Sequence, residues 1–356
     1  AKVLHMNREI VRASPILELA AARLREGENP ARALRMDIWR VDGLAEVGAT
    51  PMPDLLERLR SIKMAARAAE DWEALALALD SELHLLHRSG EVAAIRKLFT
   101  EILECAHTGD PAAACLANAS LAMDILFGDG SKALDRARLA VRIAESESAA
   151  KQYLFKAQTR LFLVLLYRGF AYSAEAERLL LAARAEAVRS DDLVLRYNVE
   201  ANLGVSRLDA GDLDAAGVAF DKADTVLAGA EASILRVNHH FNLGELSVFR
   251  RDPEGALHQF SKAEALLGGS TTPADIAELV TAGIGLCSMD LGALTEARKR
   301  EAELSPAPES WYFDPSLVLA FQARLLAIRN QPSEALALLR EHGDALRDRL
   351  TPASLK

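Results

Sequence analysis

The chain has 356 residues and a formal net charge of −9, from 42 Lys and Arg against 51 Asp and Glu. No Lys/Arg-rich stretch stands out, so direct nucleic-acid contact is excluded for want of its electrostatic footprint. Ala and Leu fill about a third of the positions, a skew toward strong helix formers that argues against a sheet-based fold.

Residues 1–12 alternate charged and apolar types without the continuous apolar run of a secretory signal. The chain opens at Ala1 rather than Met, which we read as the start of a piece excised from something longer. Segment 1–70 contains a turn at Gly27-Glu-Asn-Pro30 and a break at Gly48–Pro53; it is expected to be helical and to belong to the same array as residues 71–345, with its helix pairing left open. The apolar run Leu161–Tyr167 spans seven residues, whereas a membrane-crossing helix needs about 20. Cys105, Cys115 and Cys287 show no CxxC spacing, so neither a disulfide framework nor a zinc site is indicated, and a reducing, cytoplasmic setting suits them.

From residue 71 to 345 the chain repeats. A small residue, a bulky one four later and a small or apolar one three after that recur at Ala176/Leu180/Ala183, Ala216/Phe220/Ala223 and Ala256/Phe260/Ala263. Weaker copies lie at Ile95/Phe99/Ile102, Ala133/Ala137/Ala140, Ala297/Glu301/Leu304 and Ala335/Leu339/His342. The lead positions are spaced 38, 43, 40, 40, 41 and 38 residues apart. Steps of four and three share one helical face, where the small residue admits a neighbouring helix and the bulky one fills the gap. Twelve residues before each lead stand Leu83, Leu121, Val164, Gly204, Gly244, Gly285 and Ala323, the matching contacts on a preceding helix. Gly90, Gly128, Gly211 and Gly292 recur five before the lead, where one helix must end and the chain reverse. Asp212 and Asp252 are then N-caps of second helices. Residues 346–356 form a tail.

The segments Asn202-Leu203-Gly204…Ala216…Phe220…Ala223 and Asn242-Leu243-Gly244…Ala256…Phe260…Ala263 resemble the tetratricopeptide repeat. The resemblance implies an all-α fold, an α-α superhelical solenoid of about eight helix pairs whose concave wall is built by the first helix of each pair. Glu301 occupies the slot of an aromatic ring, so the unit at 285–304 is irregular or differently registered. The period near 40, the Ala/Leu/Arg-rich composition and the run of degenerate units are also similar to the helical sensor region of large bacterial signal-transduction ATPases, the maltose-regulon activator and its LuxR-type relatives. That resemblance implies a regulatory domain that receives an inducer or a protein.

No catalytic constellation is present: GxxxxGK[ST], GxGxxG, HExxH and GxSxG are all missing, and no cofactor is called for. Gly268-Gly-Ser270 lacks a Lys and reads as a connection. Leu304–Ser316, with Trp311-Tyr312-Phe313 among three prolines, reads as an ordered connection. His84 and His87 lie three apart but lack further metal ligands, and read as partly exposed helix residues; adjacent His239 and His240 point to different sides.

One pattern points to binding. Asn198 and Asn202 stand six and two residues before Gly204, and Asn238 and Asn242 six and two before Gly244. Asn is a poor helix-interior residue that needs a reason to be there. In tetratricopeptide proteins the corresponding positions face the groove, where a column of amides offers donors and acceptors to an extended peptide backbone. Phe241, Glu245 and Arg168 would add apolar contact and charge selectivity. No basic clamp for a peptide carboxylate is evident in matching positions. The sequence therefore predicts a non-catalytic domain binding a peptide, a protein or a small inducer on its concave wall, with a free-standing protein-interaction scaffold as the competing reading. An enzyme would need a cluster of titratable groups in one pocket.

Overall fold

The computed structural model describes residues 10–27, 29–47, 50–126, 132–190, 193–228, 233–267, 274–304 and 316–349. Its described residues form seventeen α-helices. The first three are α1 (Ile10–Glu26), α2 (Pro30–Val47) and α3 (Met52–Ala68). The next four are α4 (Trp72–Ser89), α5 (Val92–Cys105), α6 (Pro111–Leu121) and α7 (Ala133–Ser146). Then come α8 (Leu154–Tyr167), α9 (Ala174–Ser190), α10 (Leu193–Asp209), α11 (Leu213–Leu227) and α12 (Ser233–Phe249). The array ends with α13 (Pro253–Leu266), α14 (Ala274–Asp290), α15 (Leu294–Glu303), α16 (Ser316–Ile328) and α17 (Pro332–Arg349). Short 3-10 turns, Ala122–Leu126 and Lys151–Tyr153, flank α7.

Sequential helices pack on one another, and in the segment whose pairing the sequence left open α2 packs on both α1 and α3, more extensively on α1. Capping carboxylates start several of these helices. Asp71, Asp110, Asp212 and Asp252 each accept from a backbone N–H of the first turn, and Asp212 and Asp252 are the two expected caps. The turns between paired helices use the left-handed region at Gly90, Gly211 and Gly292, and at Arg251 (φ 57°) where the repeat lacks its glycine. Gly128, Gly268–Ser270 and the aromatic connection at 305–315 lie outside the described residues.

The chain divides into two compact units. The first holds Ala1–Val164 and Leu179–Leu195; the second holds Leu165–Arg178, Arg196–Ala228 and Ala232–Lys356. In the first unit α2 packs on α4 and α4 on α6; in the second, α12 packs on α14 and α14 on α16. First helices thus touch first helices along each unit.

The repeated small and bulky residues carry that packing in the second unit. A Cβ built on Gly204 of α10 would lie 2.2 Å from the ring of Phe220 on α11, and one on Gly244 of α12 would lie 2.5 Å from Phe260 on α13. Ala216, Phe220, Ala223, Ala256, Phe260 and Ala263 are all fully buried. The irregular unit is packed differently. Glu301 turns to an ion pair with Arg329, and the space beside Gly285 is filled by Phe321 of α16, a first helix of the next pair. At Ala335/Leu339 the register frays: Leu339 is 44% exposed, because no described helix follows α17 to cover it.

Candidate functional site

Asn198 and Asn202 sit on α10, Asn238 and Asn242 on α12, all half-buried. Tyr197 meets His239 edge to face with ring centroids 6.4 Å apart, so the two amide-bearing helices are neighbours. None of the four amides is hydrogen-bonded to another described residue. That leaves each with two donors and an acceptor for a guest. The partly buried Phe241 ring packs on Phe260 at 5.8 Å and lies against the hydrophobic clusters around Phe260 and Phe321. Glu245 and Arg168 are half-buried. Beneath the amides, the Tyr197 hydroxyl and His239 Nδ1 are buried without a hydrogen-bond partner among the described residues, and burial holds the His239 pKa below its ordinary value against the pull of Asp224 at 3.6 Å.

The first unit contains a polar cluster that the sequence reading missed. Helix α4 is apolar on most faces, yet carries Asp80 and His84 four residues apart; α8 carries Lys156 and Arg160 four apart amid Leu and Phe. Those two helices are two pairs apart along the chain. Between them α6 interposes mainly Ala, with Asn118 and Ser120, so long side chains can meet across it. The Asp80 carboxylate accepts from Ser120 Oγ at 2.6 Å and from Lys156 Nζ. His84 Nδ1 lies 2.7 Å from the Asp80 carbonyl oxygen, so Nδ1 carries the proton and Nε2 accepts from Arg160. The other Arg160 nitrogen donates to the Met123 thioether at 3.1 Å. Asp42 of α2 is hydrogen-bonded to Ser81 on the same wall. At the start of α4, Glu73 accepts from Arg35, Gln152 and Tyr153, a second link of the same reach.

The electrostatics follow from this crowding. Burial alone would raise the Asp80 carboxyl, but Lys156, His84 and Arg160 outweigh it and hold it well below the usual carboxylate range. Asp42 is pushed up to about 6, mainly by burial. Burial, seconded by Arg160, lowers both His84 and His87 to about 4. The His84 side chain is nevertheless 49% exposed. The ring therefore stands at the solvent edge of the cluster. Both His84 nitrogens are engaged, and the Ser120 hydroxyl donates to a carboxylate. Among the described residues no group of three His, Cys, Asp or Glu side chains could hold a metal ion, and no helix is long and apolar enough to cross a membrane.

Comparison with solved structures finds the same fold in NprR, crystallised in complex with its cognate peptide NprX: TM-score 0.55 and 11% identity over 87% of this chain and 88% of that one. No protein-family model and no curated protein matches the chain.

Proposed function

We propose that this chain is a cytoplasmic, non-catalytic sensor domain that receives an extended peptide along the first-helix face of its second unit, as the regulatory part of a larger signalling protein. The observation that carries the reading is the pair of amides repeated on α10 and α12, half-open and without partners among the described residues. Amides so placed hold a strand by its backbone N–H and C=O groups, leaving side-chain choice to neighbours such as Glu245 and Arg168. The likeness to a fold solved with a peptide bound supports the reading from a second side. A ligand acts as a signal only if it favours one curvature of the stack over another.

The test uses a peptide selected from a random display library on the intact chain and followed by fluorescence anisotropy. Asn202→Ala with Asn242→Ala should weaken binding at least about tenfold, on the scale of two lost hydrogen bonds, with an unchanged unfolding midpoint. N-methylating the central peptide amides should do the same. Unaltered binding with a large loss of stability means the amides are structural. If peptide binding leaves the small-angle scattering profile unmoved, the domain is a scaffold rather than a sensor.

A further inference from the structure

We infer that the recess of the first unit, where α2, α4 and α8 converge, is an oxyanion-binding site in which Arg160 and Lys156 receive the carboxylate or phosphate group of a small ligand. Arg160 has one carboxylate near it, Asp80 at 3.6 Å, and shares that carboxylate with Lys156. Its side chain is only 10% exposed, yet its hydrogen bonds go to a thioether sulfur and an imidazole nitrogen, both neutral. The Asp80 carboxylate lies 3.6 Å from it, outside hydrogen-bond distance, while Ser120 and Lys156 each donate to one of its oxygens. A guanidinium has five donors in a planar fork, and a buried one without a hydrogen-bonded acid is costly unless an anion completes it.

The charge balance of the recess points the same way. Lys156, Arg160 and Arg88 face two carboxyls, Asp80 and Asp42, and His84 and His87 add no charge at neutral pH. Three cationic side chains thus stand around these two carboxyls. Lys156 is 33% exposed and the His84 ring beside it is half open, so an anion has a route to the Arg160 fork. The residues of this recess all belong to the first unit, and the inference does not depend on peptide binding by the amides of the second. The chain as a whole is acidic, which disfavours diffuse accumulation of anions and makes any response local.

The experiment titrates the intact chain with sodium phosphate and, separately, sodium acetate at pH 7 and constant ionic strength maintained with sodium chloride. Thermal unfolding and the ring carbon-proton NMR signal of His84 are followed together. Expected is a saturable rise in unfolding temperature matched by a saturating shift of the His84 signal, with binding at least about tenfold weaker in Arg160→Gln, the loss of a charge-assisted fork. Lys156→Gln, a change at a partly open position, gives the same reading should Arg160→Gln fail to fold. Saturation by phosphate alone assigns a phosphorylated ligand; saturation by acetate assigns a carboxylate. No saturable response to either anion, or the same response in wild type and both variants, overturns the assignment.

Discussion

Gly204→Ala isolates the packing that defines the repeat. The added Cβ would lie 2.2, 2.5 and 2.8 Å from Cε1, Cδ1 and Cζ of Phe220, where carbon atoms normally rest about 3.5–4.0 Å apart. Phe220 is fully buried among Leu208, Ala216 and Leu246, so its ring has nowhere to withdraw and α10 and α11 must separate by more than an ångström. Such overpacking costs about 1–3 kcal/mol, while replacing a helix-interior glycine by alanine returns about 1 kcal/mol through propensity. The net expectation is a loss of up to about 2 kcal/mol, read as a lower urea midpoint, with Gly204→Leu worse. Gly217 of α11 is the internal control. A Cβ there meets only the tip of the flexible Arg250 side chain at 3.0 Å, so Gly217→Ala should be neutral or stabilising by up to about 1 kcal/mol. Shrinking the ring with Phe220→Leu should relieve part of the Gly204→Ala penalty. A Gly204→Ala chain as stable as wild type would show that the two helices do not meet through this glycine, and the repeat register would fall with it.

Three other outcomes are expected. Arg251 holds a left-handed φ of 57° with its side chain exposed, in the place where the preceding repeat has Gly211. Arg251→Gly should therefore gain about 0.5–1 kcal/mol, the relieved strain less the added chain entropy, while a lowered urea midpoint would contradict it. Asp42 has its pKa raised to about 6, so the folded chain holds this proton more tightly than the unfolded one. Its contribution is present below the ordinary carboxylate range and lost as pH rises through about 6. Asp42→Asn should accordingly stabilise at pH 7, by on the order of 1 kcal/mol, and make no difference at pH 4; equal effects at both would refute the burial argument. Finally, burial pushes the Cys105 and Cys287 thiols up to about 11 and Cys115 to about 12. None should react with Ellman's reagent until the chain unfolds, and labelling of the native protein within seconds would count against their placement.

Local periodicity determined a great deal. Steps of four and three, glycines five before four of the seven lead residues and capping aspartates define helix pairs through neighbours close in sequence, and Gly204 against Phe220 and Gly244 against Phe260 were readable because the partners lie on consecutive helices. The paired amides were readable for the same reason, since they recur at a fixed offset from those glycines. What escaped was the join between elements two pairs apart. Asp80 with Lys156, His84 with Arg160 and Glu73 with Tyr153 are separated by 76 to 80 residues, and they meet only because α6 between them is short and built of small side chains. Each charged residue alone looks like an ordinary helix-surface group. Phe321 in the space opposite Gly285, vacated by Glu301, is the same lesson in apolar form. A one-dimensional repeat specifies contact between neighbours; curvature, set by the sum of side-chain volumes along the first helices, decides which distant side chains share a recess.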